Sequence, residues 1–304
     1  MIGEERVIGV IGGSGLYDIS GLSDVEDVTV ESPWGSPSGR FRRGRLGGVA
    51  LVFLARHGFG HHLAPDTINY RANIDAMKRL GVTDIISFSA CGSLREAHAP
   101  GDFVIVDQYI DRTNGRPSSF FGDGFVAHVS MARPICQALA SVLHESALGV
   151  GATTHMGGTY VCINGPQFST YAESQLFRQW GADVIGMTNM PEARLAREAE
   201  LPYACVAMVT DYDCWHEDEE DVDVANVIAV MNANAERAQK TLIAATERLT
   251  GRRTPTDAGI EKCLDNAVIT PKRARDPELI QKLDAIAGRF LANEAATASG
   301  VETK

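Results

Sequence analysis

No lysine occurs in this chain before Lys78. The Gly-rich turn Val10-Ile-Gly-Gly-Ser-Gly-Leu16 therefore lacks the cation of a lysine-bearing nucleotide loop. It also lacks the third glycine of the dinucleotide fingerprint, since Asp18 stands where Gly13-x-Gly15 would require it. None of the six cysteines (Cys91, Cys136, Cys162, Cys205, Cys214, Cys263) forms a Cys-x-x-Cys pair. That excludes a zinc knuckle or a disulfide framework and predicts reduced thiols and a cytoplasmic location. Long apolar runs are missing too: segments such as 49–55 fall far short of the roughly 20 residues a membrane helix needs. The acidic start Met1-Ile-Gly-Glu-Glu-Arg6, with only a brief apolar stretch, predicts no signal peptide. Positive charge is in deficit, with 28 Lys+Arg against 39 Asp+Glu and a net charge of −11 at pH 7. A non-specific nucleic-acid binder needs a basic face, so that class is excluded; a local site for a small anion is not.

What is present is ordinary globular composition: 304 residues, 44 % apolar and 22 % charged, near the size at which one core stops growing. Short apolar, β-branched runs predict strands at 7–11, 49–54, 84–89, 103–106, 160–163, 184–186 and 203–209. Several are continuously apolar, as strands covered on both faces are. Helical periodicity predicts helices at 67–80, with Tyr70, Ile74 and Met77 on one face, and at 132–148, 171–181, 190–200 and 222–249. The Gly/Arg-rich piece 39–48 reads as a hairpin. Gly251-Arg-Arg-Thr-Pro-Thr-Asp257 reads as a linker, and Asp276-Pro277 opens a further helix to about 292 with a Leu279, Leu283, Ile286, Phe290 stripe. The expectation is an α/β domain over 1–250 and a linker plus helical appendage over 251–304.

Five constellations carry chemistry. Around Ser14 the glycines let backbone N–H groups approach an anion, or simply make a tight turn. Arg56-His57-Gly58, with His61 and His62 close behind, follows a buried strand. A guanidinium there suits phosphate; a solvated loop and a histidine metal pair are the competing readings. Ser89-Ala-Cys-Gly-Ser-Leu-Arg95 is small and polar and is expected directly after a strand, where Ser89 and Ala90 can grip an anion. Its Cys91 is read as a small hydrophobe rather than a nucleophile. Met187-Thr188 stands at a helix start, so Thr188 meets the positive helix end, while Met187 reads equally as sugar contact or core filler. Asp211 and Asp213 end an apolar strand and can hold a heterocycle by accepting from an amine and donating from a protonated carboxyl. A divalent-metal site is the rival reading, and 217–221 reads as a solvated acidic run leading into a helix.

Nine segments stand in an order that resembles the methylthioadenosine-cleaving members of the trimeric purine nucleoside phosphorylase branch. They are Gly12-Gly-Ser-Gly15, Ala55-Arg-His-Gly58, Asn69-Tyr-Arg-Ala-Asn73, Ala90-Cys-Gly-Ser-Leu-Arg95, Pro100-Gly-Asp102, Gly165-Pro-Gln-Phe-Ser169, Met187-Thr188, Pro191-Glu192 and Thr210-Asp-Tyr-Asp-Cys-Trp215. The resemblance spans about residues 6–250. It implies an α/β fold with a mixed, partly barrel-like central sheet flanked by helices. The implied reaction is phosphorolysis of S-methyl-5′-thioadenosine to adenine and 5-methylthioribose 1-phosphate, a pentosyl transfer in purine and methionine salvage. Inorganic phosphate would be a co-substrate, with no cofactor and no metal. By the same resemblance Ser14, Arg56, His57, Ser89, Ala90 and Thr188 form the phosphate site, and Met187 meets the ribose. Phe168 and Ser169 flank base or sugar, and Asp211 and Asp213 face the purine, with His57 joining them as catalytic. His61 from a neighbouring subunit, with Val224, Val227 and Ile228, surrounds the 5′ group. Family members more often carry Thr where Ser14 and Ser89 stand; a serine keeps the hydroxyl.

The chemistry needs an anion held against an oxocarbenium-like sugar and a proton for the departing purine. Free aspartate titrates at about 3.9, so the acid must have its pKa raised by burial beside the second carboxylate. Aspartate at 211 favours a 6-aminopurine over a 6-oxopurine, which would face an acceptor with an acceptor. The competing classes are a metal-dependent phosphoester hydrolase using Arg56, His57, His61, Asp211, Asp213 and His216, a water-using nucleosidase, and a nucleoside-binding module. The resemblance further implies a homotrimer, and the stripe at 279–290 offers either a cap on its own subunit or a contact pairing two trimers into a hexamer.

Overall fold

The computed structural model describes residues 5–16, 19–216, 224–251 and 253–298. The side chains of Ser14, Ala298 and residues 224–227 lie outside the description, as does the acidic run at 217–221. Four strands run parallel through the centre: β1 (Val7–Gly12), β4 (Val49–Ala55), β5 (Asp84–Ser93) and β11 (Tyr203–Asp211). They are the apolar runs of the sequence, and both faces of each are covered. On one side β3 (Phe41–Leu46) pairs antiparallel with β4, and β2 (Ser23–Val28) with β3. On the other, β10 (Val184–Gly186) pairs antiparallel with the end of β5, followed by β9 (Thr159–Cys162) and β7 (Gln108–Asp111) in parallel. Strands β6 (Phe103–Ile105) and β8 (Thr154–Met156) extend the sheet from β11. The sheet is mixed, branches at β5, and does not close into a barrel among the described strands.

Helices cover the sheet: α1 (Tyr70–Arg79), α2 (Gln137–Gly149), α3 (Tyr171–Gln179), α4 (Asn189–Glu198) and α5 (Val224–Arg248). Local chemistry sets their starts. The Asn69 side chain caps α1, and a Thr170–Glu173 capping box opens α3. Helix α2 begins at Gln137 rather than at 132, because Cys136 has extended backbone angles and its N–H bonds to Tyr203 O at 2.9 Å instead of joining a helix.

Two expectations change, and one strand adds to them. Strand β5 runs on through Ser93, so Ser89-Ala-Cys-Gly lies inside the strand rather than after it; β10 and β11 both supply partners there. The hairpin is β3–β4 turning at Gly47-Gly48, and 39–48 contributes one strand of it. The acidic β2, without alternation, is a strand because Glu26 and Asp27 lie opposite Arg43 and Arg42 of β3, with Asp27–Arg42 paired at 2.8 Å.

The helix expected over 277–292 is two helices, α6 (Pro277–Lys282) and α7 (Gly288–Ala298). The break at 283–287 lets Leu283, Ile286, Ala287 and Phe290 all enter the core that holds Ile8 and Val206. That apolar stripe is thus spent inside its own subunit rather than free to pair trimers. Ion pairs fasten the same segment to the α/β body: Arg253 to Asp84 at 3.0 Å, Arg289 to the buried Glu200, and Asp284 to Arg79.

Candidate functional site

The carboxyl ends of β1, β4, β5 and β11 converge, as ligand sites in open α/β sheets do. Gly12 stands beside Ala55 in the register, and the Arg56 N–H donates to Gly12 O at 3.1 Å, joining the Gly-rich turn to the Arg-His loop. Arg56 is 2 % exposed. Its Nε and Nη2 donate to Glu192 at 2.7 and 2.9 Å, Nη2 also to Ser87 Oγ at 2.6 Å, and Nη1 to Phe88 O at 3.2 Å. Of a guanidinium's five N–H groups, four are thus engaged and one Nη1 hydrogen remains for a ligand. Burial works against its charge, but the Glu192 carboxylate outweighs burial and holds the pKa above its ordinary value. Glu192 Oε1 also accepts from Ser87 Oγ at 3.0 Å and Tyr203 OH at 2.8 Å, so the carboxylate is locked from three sides.

His57 follows, with Nδ1 2.9 Å from Leu63 O. A carbonyl only accepts, so Nδ1 carries the proton. Burial lowers the His57 pKa to about 4, aided by Arg56 and His61. At neutral pH the ring is therefore uncharged and presents Nε2 as an acceptor. His61 stacks on His57 of its own chain, centroids 4.1 Å apart. The tip between them exposes Phe59 almost fully.

From the opposite side, the antiparallel register of β10 on β5 carries the chain toward Ser89. Ser89 Oγ lies 3.4 Å from Thr188 Oγ1 and 3.2 Å from Tyr160 OH, all buried. Thr188 is the residue before α4 and makes no side-chain cap, so its hydroxyl is not consumed by the helix. Ala90 is half-buried next to this cluster. Gly186 is needed here, because a Cβ would overlap the Tyr160 hydroxyl. Met187 lays its side chain over Gly165, at the head of the loop to Phe168 and Ser169. Phe168 is 47 % exposed.

The acidic pair closes the site. Asp211 Oδ2 accepts from Thr210 Oγ1 at 2.6 Å and Oδ1 from the Asp213 N–H at 2.8 Å. Asp213 is buried, has φ 53°, and its Oδ2 has no hydrogen-bond partner among the described residues. The Ser169 and Ser174 hydroxyls are buried without a fully formed hydrogen bond, yet both lie close enough to lower the Asp213 pKa. Burial dominates and pushes Asp213 up to about 6; Ser174 pulls down, Asp211 pushes up, and the Cys214 N–H and Ser169 pull down. Burial also raises Asp211 against the Thr210 hydroxyl and the Asp213 N–H. Gly92 admits the pair, since a Cβ there would meet Asp211 Oδ1 at 2.9 Å and Asp213 Cβ at 3.4 Å. Trp215 backs the turn, donating to Ser93 O at 2.7 Å under the Arg178 guanidinium.

Two groups of residues thus converge: Arg56, His57, Ser89 and Thr188 on one side, and Asp211 and Asp213 with Ser169 on the other. Ile228 is half-exposed on the first turns of α5, which packs against the 14–16 turn; the side chains of Ser14, Val224 and Val227 fall outside the described residues. Glu192, Ser87 and Tyr203 have no signal in the sequence as holders of Arg56, because Glu192 lies 136 positions away. Among the described residues no three His, Cys, Asp or Glu side chains come together to hold a metal ion. His216 instead stacks on Tyr212 and faces Glu96 at 3.2 Å.

A model of the phosphorylase superfamily matches residues 7–247. A curated relative, the S-methyl-5′-thioadenosine phosphorylase of Cereibacter sphaeroides, is 57 % identical over 287 residues, covering 94 % of this chain and 99 % of the relative. At that coverage the likeness extends past residue 250 into the C-terminal segment. A crystal structure of a methylthioadenosine phosphorylase from an Antarctic soil metagenomic library superposes with TM-score 0.88 at 46 % identity, covering 93 % of this chain and 99 % of that one. The Schistosoma mansoni methylthioadenosine phosphorylase in complex with adenine gives TM-score 0.74 at 38 % identity, covering 81 % and 92 %.

Proposed function

This chain belongs to the phosphorylase superfamily, and from that premise we propose that it is a pentosyltransferase catalysing phosphorolysis of S-methyl-5′-thioadenosine. The products are adenine and 5-methylthioribose 1-phosphate. The observation that carries the reading is the pairing of a buried cluster of hydroxyls and an arginine (Arg56, Ser89, Thr188) with a buried carboxyl dyad at one end of the sheet. The Nη1 hydrogen left on Arg56, the Ser89 and Thr188 hydroxyls, the Ala90 segment and the Ser14 turn hold phosphate, with no metal and no cofactor. Met187 meets the ribose; Phe168 and Ser169 flank the base. His61 from a neighbouring copy, with Val224, Val227 and Ile228, encloses the 5′ group.

In the reaction a phosphate oxygen forms a bond to the anomeric carbon as the bond to purine N9 breaks. Neutral His57 accepts a hydrogen bond from the phosphate O–H through Nε2, the purine takes a proton from the Asp211–Asp213 dyad, and the proton left on the sugar phosphate passes to solvent after release. Asp213 is the better donor: burial pushes its pKa up to about 6, and among the described residues its Oδ2 has no fully formed hydrogen bond. The ionised carboxylate of the pair accepts from the 6-amino group, which selects adenine over 6-oxopurines. Serine at 14 and 89 keeps both hydroxyls.

Phe59, Tyr171 and Trp180 leave apolar surface open to water of the kind a neighbouring subunit covers, which supports a homotrimer. No helix among the described residues is long and apolar enough to cross a membrane, and six free thiols support a cytoplasmic setting. The test is release of free base from methylthioadenosine, adenosine and methylthioinosine, each with and without phosphate. Fast, phosphate-dependent release from methylthioadenosine and little from methylthioinosine supports the reading; equal rates without phosphate assign a nucleosidase.

A further inference from the structure

Arg116 is buried, and among the described residues no carboxylate pairs with it. Buried cations ordinarily have an acidic partner, because taking an unpaired charge out of water is costly. Here the guanidinium is spent on backbone carbonyls. Nη1 lies 2.7 Å from Met187 O and 2.7 Å from Met190 O, and Nη2 lies 2.7 Å from Asn164 O. Nη1 also reaches Tyr70 OH at 3.3 Å, and that hydroxyl donates to Pro65 O at 2.8 Å.

These acceptors lie on separate loops. Asn164 follows β9 and leads to Phe168 and Ser169. Met187 follows β10 just before Thr188, and Met190 lies in the first turn of α4. Pro65 lies in the loop that begins at Arg56. Met190 has extended backbone angles (φ −116°, ψ 129°) inside α4, which frees its carbonyl from the helix ladder for the arginine.

We propose that Arg116 is a positioning residue that locks the base-side loop (164–169) to the phosphate-side turn (187–190), so that the two halves of the site hold one geometry. It touches neither substrate in this role. The planar fork matters, since Nη1 and Nη2 are aimed at different chain segments, whereas a lysine ammonium reaches only one of them. The inference rests on the phosphorolysis reading for its kinetic test and has one readout that does not.

The experiment compares wild type, Arg116→Lys and Arg116→Ala. Loss of the charged double anchor is expected to lower kcat/KM for methylthioadenosine about tenfold or more in both variants. Guanidinium chloride at low millimolar concentration restores a saturable part of the Arg116→Ala activity, and sodium chloride at equal ionic strength does not. Hydrogen exchange reads the loops directly: amides of 163–169 and 187–190 speed up together in Arg116→Ala while those of β1 and β5 do not. Wild-type kinetics in Arg116→Lys, or exchange that rises in only one loop, overturns the proposal. Should Arg116→Ala not fold, Arg116→Lys alone decides by the same kinetics and exchange. A wild-type enzyme that releases no adenine while the two loops still loosen together contradicts the phosphorolysis reading and not the coupling.

Discussion

Glu192→Gln is the perturbation that probes the site most severely, because it removes one charge from a pair whose side chains are 3 % and 2 % exposed. The amide is nearly isosteric, so no cavity opens. Its NH2 group must nevertheless replace either Oε2, which faces Arg56 Nε, or Oε1, which faces Arg56 Nη2, Ser87 Oγ and Tyr203 OH. Either choice sets a donor against a donor and leaves the guanidinium uncompensated. Breaking a buried pair by removing one partner costs about 3–5 kcal/mol. With an unfolding entropy of about 2.1 cal/mol/K per residue, a 304-residue chain loses about 5–8 °C in melting temperature. The assay is thermal unfolding without phosphate at matched protein concentration, alongside KM for phosphate. Arg56 then re-aims its freed donors, and phosphate KM rises about tenfold or more. The double variant Arg56→Met/Glu192→Leu recovers most of the melting temperature but not phosphate binding. A Glu192→Gln protein that melts within about 1 °C of wild type with unchanged phosphate KM refutes the argument that this pair is desolvated and holds the anion site.

Four further outcomes follow from the geometry. With Asp213 raised from 3.8 to about 6, its protonated fraction falls as pH climbs through 6, so kcat/KM declines above pH about 6 and Asp213→Asn loses that limb. The same shift has the opposite sign to a salt-bridged acid: it leaves the fold less stable above pH about 6 than below pH about 4, and melting curves of Asp213→Asn lack that difference. Gly92→Ala drives a Cβ to 2.9 Å from Asp211 Oδ1 and displaces the acidic turn; kcat falls about a hundredfold while phosphate binding, measured by calorimetry, stays near wild type. Asp211→Asn turns an acceptor into a mixed donor and acceptor and raises activity on methylthioinosine relative to methylthioadenosine; no relative gain contradicts the assigned base contact.

The central parallel strands were legible because burial on both faces leaves continuous apolar runs, as in Val49–Ala55 and Tyr203–Asp211. Helix α1 was legible from Tyr70, Ile74 and Met77, all of which are buried. Strand β2 was not, since Ser-Asp-Val-Glu-Asp-Val owes its conformation to arginines on a neighbouring strand. The end of β5 read as a loop because Ser89 to Ser93 are small and polar, and only the two partner strands reveal its extension. At the site, Arg56, His57, Thr188 and the two aspartates carry their chemistry in their own side chains and were visible in order. Glu192 as the holder of Arg56 and Arg116 as a loop anchor were not visible: Glu192 meets a guanidinium 136 positions away, and Arg116 reaches partners 46 or more positions away that no local pattern marks. The helical stripe at 279–290 was legible as apolar, but which surface it covers is a property of tertiary packing.

The central claim is that phosphate itself attacks the anomeric carbon. Oxygen-18-labelled phosphate with methylthioadenosine, followed by mass spectrometry and phosphorus NMR of the sugar product, tests this directly. The expected result is adenine release only in the presence of phosphate, with label retained in the oxygen bridging C1 and phosphorus of 5-methylthioribose 1-phosphate. Adenine release in phosphate-free buffer with free 5-methylthioribose as product, or an unlabelled bridging oxygen, contradicts it.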